Sequence, residues 1–483
     1  MKARVISAVV ALALLGSACG GGGESSSPSS GGMSGDGPGA TAPAEPGGPT
    51  DQQPSTFALD VDTASYGYAR RAIQEGRWPE PDQVRIEEFV NAFRQDYAEP
   101  DDNGFAVHVD GARSNGAAIV RVGLQTRRKD SMARKPANLT FVVDVSGSMA
   151  EAGRLDLVRG ALHTLVDQLT PGDQVSIVSF SSSARVLTPM TPVSERSSLH
   201  AAIEGLVPEG STGLEDGLVT GYREASRAFR PSMTNRVILL SDGLANSGET
   251  EWQGILDRVR DYAGKQVTLL CVGVGRDYGD HLMEQLADNG DGTAVYVRSL
   301  DEARKVFVDQ LPATLDVRAR DAKAQVVFNP GLVESYELVG YENRALRPEE
   351  FRDDSRDGGE VGPGHAVTAL YLVHLRPGAS GQLATATVRW LDPDTGRPSE
   401  VSGLLDTEGL SPDLWSSTGP RFQVDVVAAA FAERLRTRWE QGDGRFGLGL
   451  EDLSAHALRL AGTTEDPDVT ELSDLIARAR SLG

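Results

Sequence analysis

Residues 139–148 read LTFVVDVSGS. The apolar, β-branched run Leu139–Val145 carries straight into Asp144-Val145-Ser146-Gly147-Ser148. A short run that is apolar on both faces is the pattern of a strand covered from both sides, as in a mostly parallel sheet. The next segment, Arg154–Leu169, places Leu155, Val158, Leu162, Leu165, Val166 and Leu169 close to i, i+3, i+4, i+7 spacing and predicts a helix. The alternation continues downstream. Strands are expected over Gln174–Phe180, Arg236–Leu240, Val267–Val274 and Thr293–Val297. Helices are expected over Glu195–Leu206 (capped by Ser194), Leu214–Phe229, Glu251–Ala263, His281–Ala287 and Asp301–Leu315. The expectation is an α/β domain over residues 138–315, with a mostly parallel central sheet between two helical layers.

In such sheets ligands bind beyond the carboxyl ends of the strands. Three polar loops fall there: Asp144–Ser148, Gly210-Ser211-Thr212-Gly213 before the Leu214 helix, and Ser241-Asp242-Gly243 after the Arg236 strand. Their candidate ligands are all oxygens, from Asp144, Ser146, Ser148, Thr212 and Asp242. Hard oxygen donors suit Mg²⁺, Mn²⁺ or Ca²⁺ and not zinc. In an extended loop, alternation within D-x-S-x-S points residues i, i+2 and i+4 the same way. Read alone, Asp144 and Ser146 would merely cap the following helix.

Taken together, DVSGS, GSTGLEDG and LLSDG resemble the metal-ion-dependent adhesion site of von Willebrand factor A-type (VWA) domains. The resemblance implies a Rossmann-like fold. It implies Ser146, Ser148 and Thr212 as direct ligands, with Asp144 and Asp242 acting partly through water. It also implies an open coordination position filled by an acidic group of a protein partner, with Mg²⁺ the first expectation among the divalent ions.

The amino terminus reads as an address. Residues 1–19, MKARVISAVVALALLGSAC, have a basic start at Lys2 and Arg4 and an apolar run from Ile6 to Leu15. About ten apolar residues are too few to span a bilayer and suit a signal peptide. Small residues lead into Cys19, which resembles the lipidated cysteine of bacterial lipoproteins. Gly16 stands where that pattern usually has Leu. The expectation is an exported protein, lipid-anchored in the cell membrane or outer membrane and facing away from the cytoplasm. Residues 20–56 are Gly-, Ser-, Pro-, Ala- and Thr-rich, a tether with an r.m.s. reach of roughly 30–35 Å.

Ser55–Asp96 and Phe328–Val373 resemble the flanks of the YfbK-like VWA lipoproteins. Strand-like segments lie on both sides of the central domain: Phe105–Val109, Ala118–Gln125, Ala324–Val327, Ser335–Gly340, Val367–Leu375 and Leu383–Trp390. The VWA domain is therefore expected to be inserted in, or flanked by, a β-rich, sandwich-like domain. Residues 57–137 form its amino-terminal flank and 316–405 its main part. Residues 406–483 are expected to be a small helical region, with helices over Val424–Trp439 and Leu453–Leu460.

The chain has 69 acidic and 47 basic residues, a formal charge of −22, which excludes nucleic acid as a natural partner. Two cysteines exclude a disulfide framework, and Cys271, in an apolar run, reads as a core residue. No G-x-S-x-G, H-E-x-x-H, C-x-x-C or Walker loop occurs. A hydrolase using the same ion would need a general base within reach. Glu215 and Glu249 are merely nearby in sequence, and the motifs tie neither to the site. A binding module, not an enzyme, is the expectation; the alternatives are a metal-dependent hydrolase or a structural envelope factor without ligand exchange.

Overall fold

The computed structural model describes residues 53–128, 135–242, 249–263, 265–275, 280–290, 292, 294–297, 303, 306–307, 317–354, 356, 358–393, 395–437 and 444–482. The leader with Cys19 and the tether up to residue 52 lie outside the described residues.

The chain enters through β1 (Ser55–Ala58), α1 (Ala64–Gln74), α2 (Ile86–Asn91), β2 (Phe105–Ser114) and β3 (Ala117–Thr126). The central domain follows as β4 (Ala137–Asp144), α3 (Arg154–Gln168), β5 (Gln174–Phe180), β6 (Ala184–Pro192), α4 (Arg196–Glu204), α5 (Leu214–Arg227), β7 (Thr234–Ser241), α6 (Glu249–Ala263), β8 (Thr268–Val274), α7 (Asp280–Asn289) and β9 (Ala294–Val297). Then come β10 (Ala319–Phe328), β11 (Val333–Val339), β12 (Ala345–Leu346), β13 (Gly359–Val361), β14 (Ala366–Leu375), β15 (Gln382–Leu391), β16 (Pro398–Asp406) and β17 (Leu410–Ser411). The described chain closes with α8 (Pro420–Thr437), α9 (Leu450–Thr464) and α10 (Pro467–Leu482).

The central sheet has strand order β6-β5-β4-β7-β8-β9, parallel throughout except for the antiparallel edge strand β6. Every residue of β4 is buried. Its side chains alternate between two cores, as the period of a strand demands. Leu139, Phe141 and Val143 meet Leu155, Val158, Leu162 and Leu165 of α3 and Leu199 and Ile203 of α4. Val142 faces the opposite layer with Leu218 and Tyr222 of α5, Ile255 and Val259 of α6, and Leu286 of α7. Helix α5 lies very close to the sheet because Gly217 and Gly221 face it. A Cβ on Gly221 would fall 2.2 Å from Val142 Cγ2, and one on Gly217 2.6 Å from the Phe180 ring. That approach positions the loop carrying Thr212. Cys271 is fully buried in β8.

Two local expectations are corrected. Ser194 does not cap α4: it lies in a 3₁₀ turn, Val193–Glu195, and the residue before the helix makes no side-chain cap bond. Val193 is buried and its N–H is held by the Asp173 carbonyl, so the chain enters the helix through that turn. β6 is a strand that the apolar-run reading passes over. Of the helix expected over Asp301–Leu315, only Ala303, Val306 and Phe307 are described, all buried.

Strands from before and after the central domain pair with one another. β1 lies antiparallel between β10 and β12, in a sheet ordered β12-β1-β10-β15-β16 with β13 also on β10. β3 pairs with β14 in a second sheet, β11-β14-β3-β2-β17. The two sheets face each other across Phe57, Val120, Val122, Val326, Tyr371 and Val388. The central domain is thus an insertion in a β-sandwich completed from both sides. β1 begins at Ser55, inside the span that reads as tether. The outer face of the second sheet, with Ile119 and Leu370, is covered by α1, α2, α8, α9 and α10 around Phe89, Phe422, Phe431 and Leu453. Arg121 of β3 ties sheet to helix, donating to Asp110 of β2 and to the fully buried Asp425 of α8. Among the described residues, no helix is long and apolar enough to cross a membrane.

Candidate metal centre

The chain goes from β4 to β5 on one side and later returns to β7 on the other. The strand order therefore reverses about β4, and a crevice opens beyond its carboxyl end. Asp144 is the last residue of β4, and the register Val143↔Leu240 sets it beside Ser241 at the end of β7. Ser241 Oγ donates to Asp144 Oδ2 at 2.6 Å, and the Ser146 N–H donates to Asp144 Oδ1 at 2.8 Å. The carboxylate is therefore fixed in orientation while fully buried. Burial raises its pKa above the ordinary value; the Ser241 and Ser146 hydrogen bonds oppose this, and the charge of Asp242 adds to it.

Ser146 Oγ lies 3.1 Å from Ser148 Oγ, so the two hydroxyls of D-x-S-x-S share one side of the loop. The backbone holds the third segment against them. Gly147 N–H donates to the Gly210 carbonyl at 3.1 Å, and Glu209 N–H to the Val145 carbonyl at 2.6 Å. On its far side the Thr212 loop is held by the loop after β5: Gly213 N–H donates to the Ser181 carbonyl and Ser211 N–H to Ser182 Oγ. Gly210 sits at φ +66°, and a Cβ there would fall 2.6 Å from Ser182 Oγ, a place that favours glycine. Thr212 is half-buried, and no hydrogen bond engages its hydroxyl among the described residues.

Asp242 follows β7 directly and is fully buried. Arg154, the first residue of α3, donates from Nη1 to Asp242 Oδ2 at 2.7 Å and to the Ser148 carbonyl at 3.3 Å. All five residues singled out from the sequence therefore stand on three neighbouring, mutually bonded loops. Two further participants were not singled out there: Ser241, which the sequence places just before Asp242 in LLSDG, and Arg154. Of the acidic residues near in sequence, Glu215 points to Arg258 at 2.9 Å on the surface, and the side chain of Glu249 is not described.

The donor chemistry fits a hard divalent ion. Two carboxylates and three hydroxyls offer oxygen alone. Among the described residues no three His, Cys, Asp or Glu side chains gather in a metal-holding group. Three of the five candidate donors are therefore hydroxyls.

Comparison with known proteins agrees with this architecture. The von Willebrand factor type A domain family matches residues 138–309. The family described as uncharacterised protein YfbK, C-terminal, matches 313–482, and a further von Willebrand factor family matches 45–118. The solved structure of a von Willebrand factor type A protein from Catenulispora acidiphila superposes with a TM-score of 0.50 at 20% identity, covering 79% of this chain and 91% of that one. The inserted parallel sheet is thus a VWA domain, a fold typically used for protein interaction or adhesion. Uncharacterised protein YfbK of Escherichia coli (strain K12) is 33% identical over 421 residues, 80% of this chain and 73% of that protein. An uncharacterised protein of Synechocystis is 27% identical over 337 residues, 67% of this chain and 78% of its own length. The chain belongs to the YfbK family of VWA-domain proteins.

Proposed function

We propose that this protein is a metal-dependent binding module of the cell envelope, which captures an acidic side chain of a protein partner at the Asp144–Asp242 centre. The observation that carries this reading is the charge and chemistry of the site. Among the described residues, two buried carboxylates less one buried guanidinium leave a net charge of one negative, beside hydroxyls on neighbouring loops. A divalent ion, Mg²⁺ first and Mn²⁺ or Ca²⁺ next, would supply a Lewis-acidic position with one positive charge left over. A partner's carboxylate neutralises that charge; a basic or neutral group does not. Ser146, Ser148 and Thr212 would hold the ion directly. Asp144, fixed by Ser241, and Asp242, fixed by Arg154, would orient the water around it. Lipid attachment at Cys19 would place the module at the outer side of the cell membrane or outer membrane, at the end of its tether.

The test is water-proton relaxation by Mn²⁺ bound to the full chain. Adding a peptide rich in Glu should lower the relaxivity as a carboxylate displaces bound water, and the same peptide with Gln should not. An equal response to both peptides, or none, refutes capture of an acidic group.

A further inference from the structure

Outside that centre, on the solvent side of α3 and α4, two histidines meet. His163 Nδ1 lies 2.7 Å from His200 Nδ1. Each far nitrogen faces a carboxylate: His163 Nε2 is 2.9 Å from Glu204 Oε1, and His200 Nε2 is 3.2 Å from Asp167 Oδ1. A carboxylate accepts only, so each Nε2 carries the ring proton in its neutral form. The two Nδ1 lone pairs then point at one another across 2.7 Å. Two acceptors hold that distance only with a positive centre between them, either a proton that makes one ring an imidazolium or a metal ion bound by both nitrogens.

From this we infer a two-histidine site for a borderline transition-metal ion of the Zn²⁺ class, distinct from the oxygen-lined centre. Carboxylates bonded to the far nitrogens are the arrangement that fixes the tautomer and orientation of metal-ligating histidines. Imidazole suits zinc, copper and nickel, the ions the hydroxyl-rich centre disfavours. The scaffold is rigid. Leu162, Leu165 and Val166 of α3 and Leu199 and Ile203 of α4 share one core, so the two backbones are fixed while the rings remain about a third exposed, at 28% and 31%. Tetrahedral Zn–N bonds of about 2.0–2.1 Å need the nitrogens roughly 3.3 Å apart. Small side-chain rotations supply that, with water completing the coordination. The local charge favours a cation. Asp167 and Glu204 contribute two negative charges, while Arg159 is directed to Asp156 and the Leu206 carbonyl and Arg196 to the Leu169 carbonyl.

The experiment is calorimetric titration of Zn²⁺ into the purified full chain with Mg²⁺ saturating, so that the oxygen-lined centre is already supplied with a hard ion. One Zn²⁺ per chain is expected, retained in Asp144→Ala. His163→Gln and His200→Gln should each weaken it at least tenfold, and Glu204→Gln and Asp167→Asn by about tenfold. Should a glutamine variant fail to fold, ¹⁵N spectra of the wild-type histidines serve instead: Zn²⁺ should shift both Nδ1 resonances. No Zn²⁺ uptake means that a proton alone bridges the rings and overturns the proposal. It is also overturned by uptake unchanged in the double glutamine variant, lost in Asp144→Ala, or shifting only other histidines.

Discussion

Replacing Arg154 by Met tests whether the oxygen-lined centre is held together by its own counter-charge. The Arg154–Asp242 pair is buried: Asp242 is 0% and Arg154 5% exposed, and their contact is 2.7 Å. Met keeps most of the apolar stem and removes only the guanidinium. Breaking a buried pair by removing one partner costs about 3–5 kcal/mol, because the remaining charge is left buried. With a urea slope of about 2–3 kcal/mol/M, Arg154→Met should lower the unfolding midpoint by about 1–2.5 M in EDTA. Mg²⁺ should offset more of this loss in the variant than it adds to the wild type, since the ion then replaces the positive charge that Arg154 brings to Asp242. Arg154→Met combined with Asp242→Asn should recover most of the EDTA stability. If the single variant unfolds at the wild-type midpoint, or the double variant is no better than the single, the counter-charge argument is wrong.

Other perturbations address separate links. Gly210→Ala places a Cβ 2.6 Å from Ser182 Oγ, at a positive φ, and should cost about 1–2 kcal/mol and weaken Mg²⁺ binding severalfold through Thr212; denaturation and calorimetry read both. A chain beginning at Thr63 loses β1, with Phe57 and Leu59 almost wholly buried, and should give a sandwich that proteases cut readily, whereas a chain beginning at Gln53 resists. Arg121→Met strips the buried Asp425 of its cation and should cost about 3–5 kcal/mol by urea denaturation. Burial raises the Glu87 carboxyl to about 7, opposed by a backbone hydrogen bond from Tyr341 and reinforced by Asp60. The native state then keeps a proton that the unfolded chain releases from its ordinary value upward. Stability should therefore fall as pH rises to about 7 and level off above it, by up to about 3 kcal/mol. Glu87→Gln should remove that slope in thermal melts taken across the window.

The central domain was legible because its strands are short, apolar on both faces and separated by amphipathic helices. Leu139–Val145 could be little else, and D-x-S-x-S at its end named the crevice. β6 was missed because Pro189 and Pro192 interrupt it and only one of its nine residues, Thr188, is buried, so neither run nor alternation survives. In the sandwich the individual strands can be read, but their partners cannot. Ser55 pairs with Val326 across the whole inserted domain, and no local pattern records a register set by a distant edge. β16 alternates exposed and half-buried residues and reads as loop. Arg154 and the His163–His200 pair were invisible for a related reason. Each is an ordinary polar residue on a helix until the fold sets it against a group contributed from elsewhere in the chain. Ser241 carried a fainter signal, a hydroxyl adjoining a ligand aspartate at a strand end.

The central claim is that Asp144, Ser146, Ser148, Thr212 and Asp242 form one divalent-ion site. Its most direct test is titration of Mg²⁺, with Mn²⁺ and Ca²⁺ alongside, into the full chain by calorimetry. The control is the variant carrying Asp144→Ala and Ser146→Ala. The account predicts one ion per wild-type chain and none in the variant. A folded wild-type protein that takes up no ion, or a variant that binds it as well, would contradict it.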